Sequence, residues 1–324
     1  MDGVELTTAA TPDAARAVAA RVIENVAQVV NVDPETLELA MIALLSGGHV
    51  LLEDVPGVGK TLLAKALARS LDCRFARLQF TPDVLPSDVT GVSVFDRRSA
   101  AFEFRPGPVF ANVLLVDEIN RASPKTQSAL LESMQENQVT IDGVAHELPL
   151  PFFVIATQNP IEHEGTFPLP LAQLDRFALL LRLGYPDPDD EAAMLERQTG
   201  GPRPPLEQLA AVATIEEASA AIAAAREVHV DPAVHRYVVE LLTATRADAR
   251  VRLGASPRAG IALVRMAKAR ALLAGRSFAT PDDVKQLALP ALRHRLLVDS
   301  SSRAEGASAE RIVRDALALV PVPT

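Results

Sequence analysis

The sequence has almost none of the residues that build disulfide frameworks or thiolate sites. Its 324 residues include one cysteine, Cys73, which excludes an intramolecular disulfide framework and a thiolate metal site. The six histidines show no spacing typical of metal ligands. No uninterrupted apolar run approaches the ~18 residues of a membrane span, and the N-terminal stretch MDGVELTTAA lacks the basic and apolar regions of a signal peptide. We therefore expect a cytoplasmic protein with no membrane span.

An excess of positive charge is also lacking. Lysine and arginine number 32 against 41 aspartates and glutamates, which gives a net charge of −9. Sequence-independent nucleic-acid binding depends on cations that displace counterions from phosphates. The acidic balance therefore disfavours a broad nucleic-acid-binding face, although it is compatible with a local basic loop. Hydrophobic residues make up 48% of the chain, enough for a sizeable core, and the length indicates about two domains.

Strand-like segments are confined to the first half of the sequence. Short, continuous apolar runs occur at residues 49–53, 74–80, 113–118, 152–158 and 177–183. Runs of this kind suit a parallel sheet covered on both faces by helices. Strand signals vanish after residues 184–190, and helical patterns rich in Ala, Leu and Arg follow, with a loop at residues 199–205. This shift predicts an α/β domain over residues 1–186 and a helical domain over residues 187–324.

Helix starts and two hairpins are marked by local signals. A capping residue followed by proline at the first helical position occurs at Asp33, Ser123, Asp231, Ser256 and Thr280. Residues 91–107 alternate apolar and polar side chains around DRRSA, and residues 138–148 centre on Asp142-Gly143, a strong two-residue hairpin turn. The hairpins are either surface decoration or inserts that serve a function.

The segment LLEDVPGVGKTLLAKALA follows the first apolar run and ends like a phosphate-binding loop. Gly57 and Gly59 permit the tight wrap that points backbone N–H groups inward. Lys60 can reach the β- and γ-phosphates, and the Thr61 hydroxyl can ligate Mg²⁺. A glycine is expected five positions before Gly59, but this chain has Asp54, whose carboxylate is unfavourable near phosphates unless it points away. The segment is either a nucleotide site or an ordinary strand-to-helix turn.

Polar side chains also follow two of the later strands. Asp117 ends the run VLLVD and can hold Mg²⁺ directly or through water. The next residue, Glu118, can orient and deprotonate an attacking water. Asn159 ends the run VIATQN and can position that water against the γ-phosphate. The alternatives are a helix-capping or surface pair of carboxylates and a simple Asn-Pro turn.

The positions of two arginines in the sequence suggest that they have a functional role. Arg176 precedes the last strand, and the simplest alternative for it is a surface ion pair with Asp175. Arg258 lies in the first turn of the helix capped by Ser256, where a cation opposes the helix dipole by about 0.3–1 kcal/mol. That cost favours a charge aimed at a phosphate, and a solvated arginine is the alternative.

Four motifs together resemble the MoxR family of AAA+ ATPases, with similarity over residues 29–294. They are GHVLLEDVPGVGKT, FANVLLVDEINRASPKTQSALLESMQE, FFVIATQNPIEHEGTFPLPLAQLDRF and GASPRA. Family members commonly have no invariant glycine at the position of Asp54, so the resemblance favours a nucleotide site. It implies an α/β fold, in which an αβα P-loop ATPase core has a parallel five-stranded sheet of order 5-1-4-3-2 and is followed by an all-α lid domain. It also implies a ring, usually a hexamer, with ATP at the subunit interfaces.

The resemblance implies roles for individual residues. The implied nucleotide contacts are Val30, Pro56, Gly57, Val58, Gly59, Lys60, Thr61 and Leu62. Near the adenine the family usually has Val-Gly-Gln, whereas here Val30 is followed by Asn31 and Val32. The implied Mg²⁺ ligands are Thr61 and Asp117. The implied catalytic residues are Glu118, Asn159 as sensor 1, Arg176 as an arginine finger acting in trans, and Arg258 as sensor 2. The two hairpins correspond to the helix-2 and pre-sensor-1 inserts, which face the pore or a partner in related machines.

The leading interpretation is an ATP-hydrolysing, chaperone-like ATPase. Such proteins are thought to mature partner complexes or insert their cofactors, often with von Willebrand factor A-domain proteins. A DNA-translocating motor is an alternative because minichromosome-maintenance helicases share both inserts, but the acidic charge and the lack of a nucleic-acid-binding domain count against it. A nucleotide-gated scaffold without turnover is another alternative, against which Glu118 and Arg176 count. A small-molecule kinase has the least support because no acceptor pocket is indicated.

Overall fold

A five-stranded parallel sheet forms the centre of the first half of the chain. The computed structural model describes residues 10–54, 57–159, 165–185, 188–199 and 204–323. The sheet strands are β1 (Val50–Glu53), β2 (Phe75–Gln79), β5 (Val113–Asp117), β8 (Phe153–Gln158) and β9 (Leu179–Leu181). They lie in the order β2-β5-β8-β1-β9, and every neighbouring pair is parallel. Numbered along the chain, this is the expected order 5-1-4-3-2.

Both faces of the sheet are covered because successive strand residues point to opposite sides. In β1, Val50 and Leu52 belong to one hydrophobic cluster, and Leu51 belongs to another. The strand β5 has the same alternation and is buried at every position. Continuous apolar runs of this kind identify strands buried on both faces. The result is the αβα core that the apolar runs predict.

Helices α1 to α6 belong to the sheet half of the chain. They are α1 (Pro12–Ala27), α2 (Pro34–Leu45), α3 (Lys60–Ser70), α4 (Pro86–Thr90), α5 (Pro124–Glu136) and α6 (Leu171–Leu174). The capping signals are accurate, since the Asp33 carboxylate accepts the N–H of Glu35 at 2.9 Å and the Ser123 hydroxyl accepts that of Thr126 at 3.3 Å. Short 3₁₀ turns lie at Pro108–Phe110 and Ile119–Arg121.

Both predicted hairpins form between core elements. The first consists of β3 (Gly91–Asp96) and β4 (Ala101–Pro106), and the second of β6 (Gln138–Ile141) and β7 (Val144–Glu147). The second hairpin turns at Asp142 and Gly143, which have φ values of +51° and +80°. Both values lie in the left-handed region that a tight two-residue hairpin turn requires. The two hairpins touch each other where Phe104 stacks on His146, with ring centroids 4.0 Å apart.

The second half of the chain is a helical lid. Its helices are α7 (Pro188–Thr199), α8 (Pro205–Gln208), α9 (Ile215–Glu227), α10 (Pro232–Ala247), α11 (Pro257–Leu273), α12 (Pro281–Leu292), α13 (Ser300–Ala304) and α14 (Ala309–Leu319), with a 3₁₀ turn at Arg293–Arg295. The predicted boundary between residues 186 and 187 lies outside the described residues, as does most of the predicted loop at 199–205. The division into two domains stays a prediction.

The lid also contains four short strands where the sequence predicts only helices. The strands β10 (His229–Val230) and β12 (Phe278–Ala279) pair in parallel, and β11 (Val251–Leu253) and β13 (Leu297–Val298) pair antiparallel. Pairs of two or three residues carry too little periodicity to be predicted from a sequence. Within the described ranges, no helix has the length and apolar character that crossing a membrane requires.

Candidate nucleotide site

Residues 57–59, the described part of the loop before α3, have backbone features of a phosphate cradle. Gly57 and Gly59 have φ values of +91° and +93°, which glycine adopts without steric cost. Gly59 is the N-cap of α3, so the first N–H groups of that helix are directed at the loop. A Cβ atom added at either glycine would meet no atom of the described residues within 4 Å, so the positive φ values rather than crowding favour glycine here. Pro56, a predicted nucleotide contact, lies outside the described residues.

The residues after the cradle form the first turn of α3. Lys60, Thr61 and Leu62 are each half-buried. Val58 and Leu62 pack against the hydrophobic cluster that contains Val50 and Leu52 of β1. The Lys60 ammonium donates a hydrogen bond to the backbone carbonyl of Asp54 at 2.7 Å. This bond holds the side chain across the loop, at the place where a phosphate would sit.

The Asp54 carboxylate points away from the cradle. It accepts hydrogen bonds from the backbone N–H of Leu183 and, at 3.4 Å, from that of Gly184, and the residue is only 8% exposed. Both donors lie just beyond β9, the strand next to β1. The carboxylate that would repel phosphate therefore ties the loop to the chain segment that leaves the sheet. The geometry removes the objection that Asp54 raises against a nucleotide site.

Asp117 and Glu118 lie at the carboxyl edge of the sheet, where ligands bind in open α/β folds. Burial lowers the pKa of Lys60, and the nearby charges of Asp54, Asp117 and Glu118 act against that shift. The two carboxylates are thus close enough to Lys60 to act on its charge. Carboxylate and hydroxyl oxygens are the ligands that Mg²⁺ prefers, so Asp117 together with Thr61 fits an ion bound at the phosphates.

Two neighbours of Asp117 are absent from the sequence-based prediction. Arg77 on β2 donates to Asp117 at 2.7 Å, and the Thr157 hydroxyl on β8 lies 3.4 Å from the other carboxylate oxygen. Strands β2 and β8 flank β5, and the register pairs Gln79 with Asp117. The strand order alone would have pointed to both flanking strands, but it does not identify Arg77 and Thr157 as the residues that reach Asp117.

Glu118 has a strained backbone and a paired side chain. Its φ of +56° is uncommon for a residue other than glycine. The N–H of Glu118 donates to the Thr157 hydroxyl at 2.9 Å, which fixes this turn, and its carboxylate lies 2.9 Å from the Arg121 guanidinium. The strained turn directs the carboxylate away from the line of β5.

Asn159 and Val30 flank the loop on other elements. Asn159 directly follows β8, and the N–H of Asp54 donates to the carbonyl of Gln158 at 3.3 Å, so the end of β8 lies beside the start of the loop. Val30 lies in the connection between α1 and α2 and is 3% exposed within the core. Its predicted contact with adenine stays a prediction.

Arg176 and Arg258 lie at the opposite edge of the sheet. Arg176 immediately precedes the amino end of β9, whereas the cradle follows the carboxyl end of the neighbouring parallel strand β1. Both arginines line a cleft of about 1180 Å³ that also contains residues 46–49, just before β1. Within one protomer, the structure does not bring the two predicted catalytic arginines to the cradle.

The cleft is strongly cationic. Besides Arg176 and Arg258, the cations that line it are Arg226, Arg246, Arg265, Lys268 and Arg295. Among its described lining residues the only carboxylate is that of Asp175, which lies 3.1 Å from the Arg295 guanidinium. The predicted alternative, an ion pair between Asp175 and Arg176, is therefore replaced by a pair with Arg295, which sequence reasoning missed.

Arg176 and Arg258 lie close enough for each charge to act on the other. Burial lowers the pKa of Arg176 and the positive charge of Arg258 lowers it further, whereas the charges of Glu132 and Glu136 act against that shift. The Arg176 Nε is buried without a hydrogen-bond partner among the described residues, and Arg258 donates to the neutral amide of Gln135 at 3.2 Å. Two neighbouring cations in this condition are suited to bind an anion.

Comparison with known proteins agrees with this geometry. Residues 49–179 match the family "ATPase family associated with various cellular activities (AAA)", and residues 243–316 match the "AAA lid domain". The chain is 41% identical to Chaperone MoxR1 of Mycobacterium tuberculosis over 312 residues, which cover 94% of this chain and 82% of that protein. This chain belongs to the MoxR family of AAA+ ATPases.

Two other similar proteins align with nearly the whole of this MoxR-family chain. It is 48% identical over 303 residues to the uncharacterized protein YeaC of Bacillus subtilis, with 94% of each chain covered. A crystal structure from Cytophaga hutchinsonii, solved under the provisional description of an ATPase, superimposes with a TM-score of 0.89 at 38% identity and covers 97% of both chains. Arg176 lies within the matched AAA region and Arg258 within the matched lid.

Proposed function

We propose that this MoxR-family protein hydrolyses ATP at the interfaces of a ring of six subunits, in the manner of its family, and uses the cycle to remodel a client protein. The observation that carries the proposal is the position of Arg176 and Arg258. They lie across the sheet from Lys60 and Glu118 in the same protomer, as described above. Cations on that edge reach a nucleotide only if the nucleotide belongs to a neighbouring copy.

Residues of the cradle would bind and orient the nucleotide. Backbone N–H groups of residues 57–61 would donate to the phosphates, and Lys60 would exchange the Asp54 carbonyl for phosphate oxygens. Thr61 and Asp117 would hold Mg²⁺, which would supply charge neutralisation when bound with ATP. The ion pair between Arg77 and Asp117 fixes the orientation of this carboxylate.

Glu118 would act as the base. Its carboxylate orients the attacking water and takes a proton from it, while Asn159 fixes that water by hydrogen bonding. In the structure, Arg121 holds the carboxylate at 2.9 Å. Glu118 must therefore loosen this contact before it accepts a proton, and the ion pair keeps it inactive until the site is complete.

Arg176 and Arg258 would complete the neighbouring site. A guanidinium placed at the transferring phosphate stabilises the charge of the transition state and is worth ~10³–10⁵ in rate in well-studied cases. The excess of positive charge among the residues that line the cleft supports this role, because a phosphate of the adjacent protomer would supply counter-charge.

The insert hairpins offer a surface for a client protein. Phe102 on the first hairpin is 74% exposed and packs edge-to-face against Phe95, which is 51% exposed. Val144 at the tip of the second hairpin is also exposed. Exposed apolar residues that cluster in this way are typical of protein-binding surfaces. We infer that a client complex docks here, either a von Willebrand factor A-domain protein or a complex under maturation.

The cationic cleft also favours the alternative of a DNA-translocating motor. A phosphate backbone would be attracted to its seven cations. In that case, ATPase activity would be stimulated by DNA and the stimulation would fall steeply with salt. Activity that is indifferent to DNA at low salt would remove this alternative.

The substitution Glu118→Gln tests the hydrolytic function. It keeps the shape of the side chain and removes the base, so we expect normal ATP binding by calorimetry and a loss of ~10²–10⁴ in steady-state turnover. Lys60→Ala serves as the binding-deficient control. Wild-type turnover in Glu118→Gln would exclude Glu118 as the base, and no turnover in the wild-type ring under any condition would support the scaffold alternative instead.

A further inference from the structure

The Asp175 carboxylate makes contacts close in the chain to both Arg176 and Arg258. It accepts a hydrogen bond from the Ser256 hydroxyl at 2.7 Å and lies 3.1 Å from the Nε of Arg295. Asp175 is the residue before Arg176, and Ser256 is two residues before Arg258. Asp175 is thus the chain neighbour of Arg176, and its carboxylate is hydrogen-bonded to the residue that caps the helix containing Arg258.

The lid side of this contact is rigid. Arg295 is 2% exposed and donates to the backbone carbonyl of Phe177 at 2.7 Å and to that of Asp175 at 3.2 Å. His294 also contacts the Phe177 carbonyl, at 3.0 Å. A buried guanidinium requires its carboxylate partner, because an uncompensated buried charge is strongly destabilising. The lid therefore fixes the backbone immediately before and after Arg176.

The helix side is equally defined. The Ser256 oxygen accepts the N–H of Ala259 at 3.1 Å, which caps α11, while its hydrogen goes to Asp175. A serine N-cap sets the direction in which a helix begins. The first turn of α11, including Arg258, is thereby held against the loop that carries Arg176.

Something must hold the two arginines together, because their like charges repel. Burial and the charge of Arg258 both lower the pKa of Arg176. Separate loops would let such side chains move apart, and a single phosphate between them would then meet only one. The contacts of Asp175 with Ser256 and Arg295 oppose this separation.

We propose that Asp175 is a positioning residue that joins Arg176 and Arg258 into one two-cation unit through Ser256 and Arg295. The inference rests on the proposed action of both arginines on the nucleotide of a neighbouring protomer. A rotation of the lid then carries the core's arginine finger with it, because Arg295 and Ser256 both belong to the lid.

Ser256→Ala tests the inference and leaves the Asp175 carboxylate in place as the partner of Arg295. It removes the hydroxyl that bonds to Asp175, and we expect turnover to fall by about 10- to 100-fold, since a misplacement of ~1 Å has effects of this size. Binding of ATP to the protomer's own cradle should be unchanged. Ser256→Thr, which keeps the hydroxyl, should restore most of the turnover. The control is Ser308→Ala. It removes the hydroxyl that accepts the N–H of Arg311 and caps α14, but it leaves the contacts of Asp175 with Ser256 and Arg295 unchanged.

A mixing experiment separates positioning from mere stability. Rings that combine Ser256→Ala and Lys60→Ala subunits contain interfaces in which an intact cradle meets arginines supported by an intact Ser256. Turnover above that of either variant alone is expected. No recovery in mixed rings, or a Ser256→Ala variant that hydrolyses ATP as fast as Ser308→Ala, would overturn the inference while leaving the trans arginines in place. Full turnover in Arg176→Ala or Arg258→Ala would instead refute the proposed function itself.

Discussion

At the scale of single residues, Asp54 shows how a carboxylate is accommodated in a phosphate loop. Its backbone carbonyl accepts a hydrogen bond from the Lys60 ammonium, and its carboxylate accepts hydrogen bonds from the N–H groups of Leu183 and Gly184. The backbone of Asp54 therefore holds Lys60, and its side chain holds the segment that follows β9. A glycine at this position would provide only the first contact.

Removing this side chain should destabilise the protein. Asp54→Ala leaves the buried N–H of Leu183 without an acceptor, and we expect a loss of about 1–3 kcal/mol in the free energy of unfolding. Asp54→Asn keeps an acceptor oxygen and should lose less. Urea unfolding monitored by circular dichroism measures both variants. An alanine variant as stable as the wild type would show that the hydrogen bonds to the β9 end contribute nothing.

Residues that act through strand register or through the lid could not be predicted from the sequence. Lys60, Asp117 and Glu118 could be proposed from the sequence because their chemistry is tied to fixed spacing along the chain. Arg77 and Thr157 approach Asp117 from neighbouring strands, and nothing in the local sequence of either indicates that contact. Arg295 is 120 residues from Asp175, so its role depends entirely on how the lid folds back.

At the scale of elements, a buried carboxylate joins α11 to α12. Asp283 is fully buried in the first turn of α12, and its carboxylate accepts Arg270 of α11 at 2.7 Å and Arg276 of the connecting loop at 2.8 Å. It also accepts the N–H of Thr280 at 2.7 Å. Burial by itself raises the pKa of Asp283, but the hydrogen bonds from Arg276, Thr280 and Arg270 outweigh it, and the pKa is lowered.

This carboxylate should make the lid sensitive to acid. A folded-state pKa below the ordinary value of about 3.9 stabilises the folded state above that value, and the contribution disappears as the pH falls through the folded-state pKa. At neutral pH, Asp283→Asn should cost about 3 kcal/mol, the lower end for a broken buried pair, because Arg270 and Arg276 keep 20% and 27% of their side chains exposed.

The pH dependence of Asp283→Asn is measured by thermal unfolding between neutral and acidic pH. The stability difference from the wild type should shrink as the pH falls below about 4. The neighbouring Asp282→Asn is the control, since Asp282 is 75% exposed and pairs only with Lys285, which is worth ~0.5 kcal/mol or less. A difference that stays constant with pH would contradict the account of Asp283.

The elements themselves were predictable to different degrees. Five continuous apolar runs and the resemblance to the MoxR family were enough for the sheet and its order, and the Asp-Gly turn located the second hairpin. The short strand pairs of the lid were not predicted, because β10 and β12 have two residues each and form only when distant helices bring them together.

At the scale of the whole molecule, contacts at both edges of the sheet connect the ATPase core to the lid. At the carboxyl edge, Glu53 of β1 accepts the Gln158 amide at 2.9 Å and pairs with Arg182 at 2.6 Å, and Arg182 lies 3.9 Å from Glu310 of α14. At the amino edge, Asp175 joins Ser256 and Arg295. A change at the nucleotide therefore has a physical route to the lid, and the lid has a route to Arg176 and Arg258, the residues that we propose act on the nucleotide of the next protomer.

The account rests on a site that one protomer does not complete by itself, and a mixture of two inactive variants tests this most directly. Arg176→Ala subunits keep their own cradle and should bind ATP yet hydrolyse it ~10³-fold or more slowly. Lys60→Ala subunits should fail to bind ATP. In a mixed ring, a cradle from the first variant and Arg176 from the second form a complete interface.

The mixture should therefore hydrolyse ATP faster than either variant alone, and the gain should disappear on dilution below the concentration at which rings assemble. Native mass spectrometry verifies that mixed rings are present. Mixed rings whose turnover stays at the level of the separate variants would contradict the trans assignment, and so would full turnover by Arg176→Ala subunits alone.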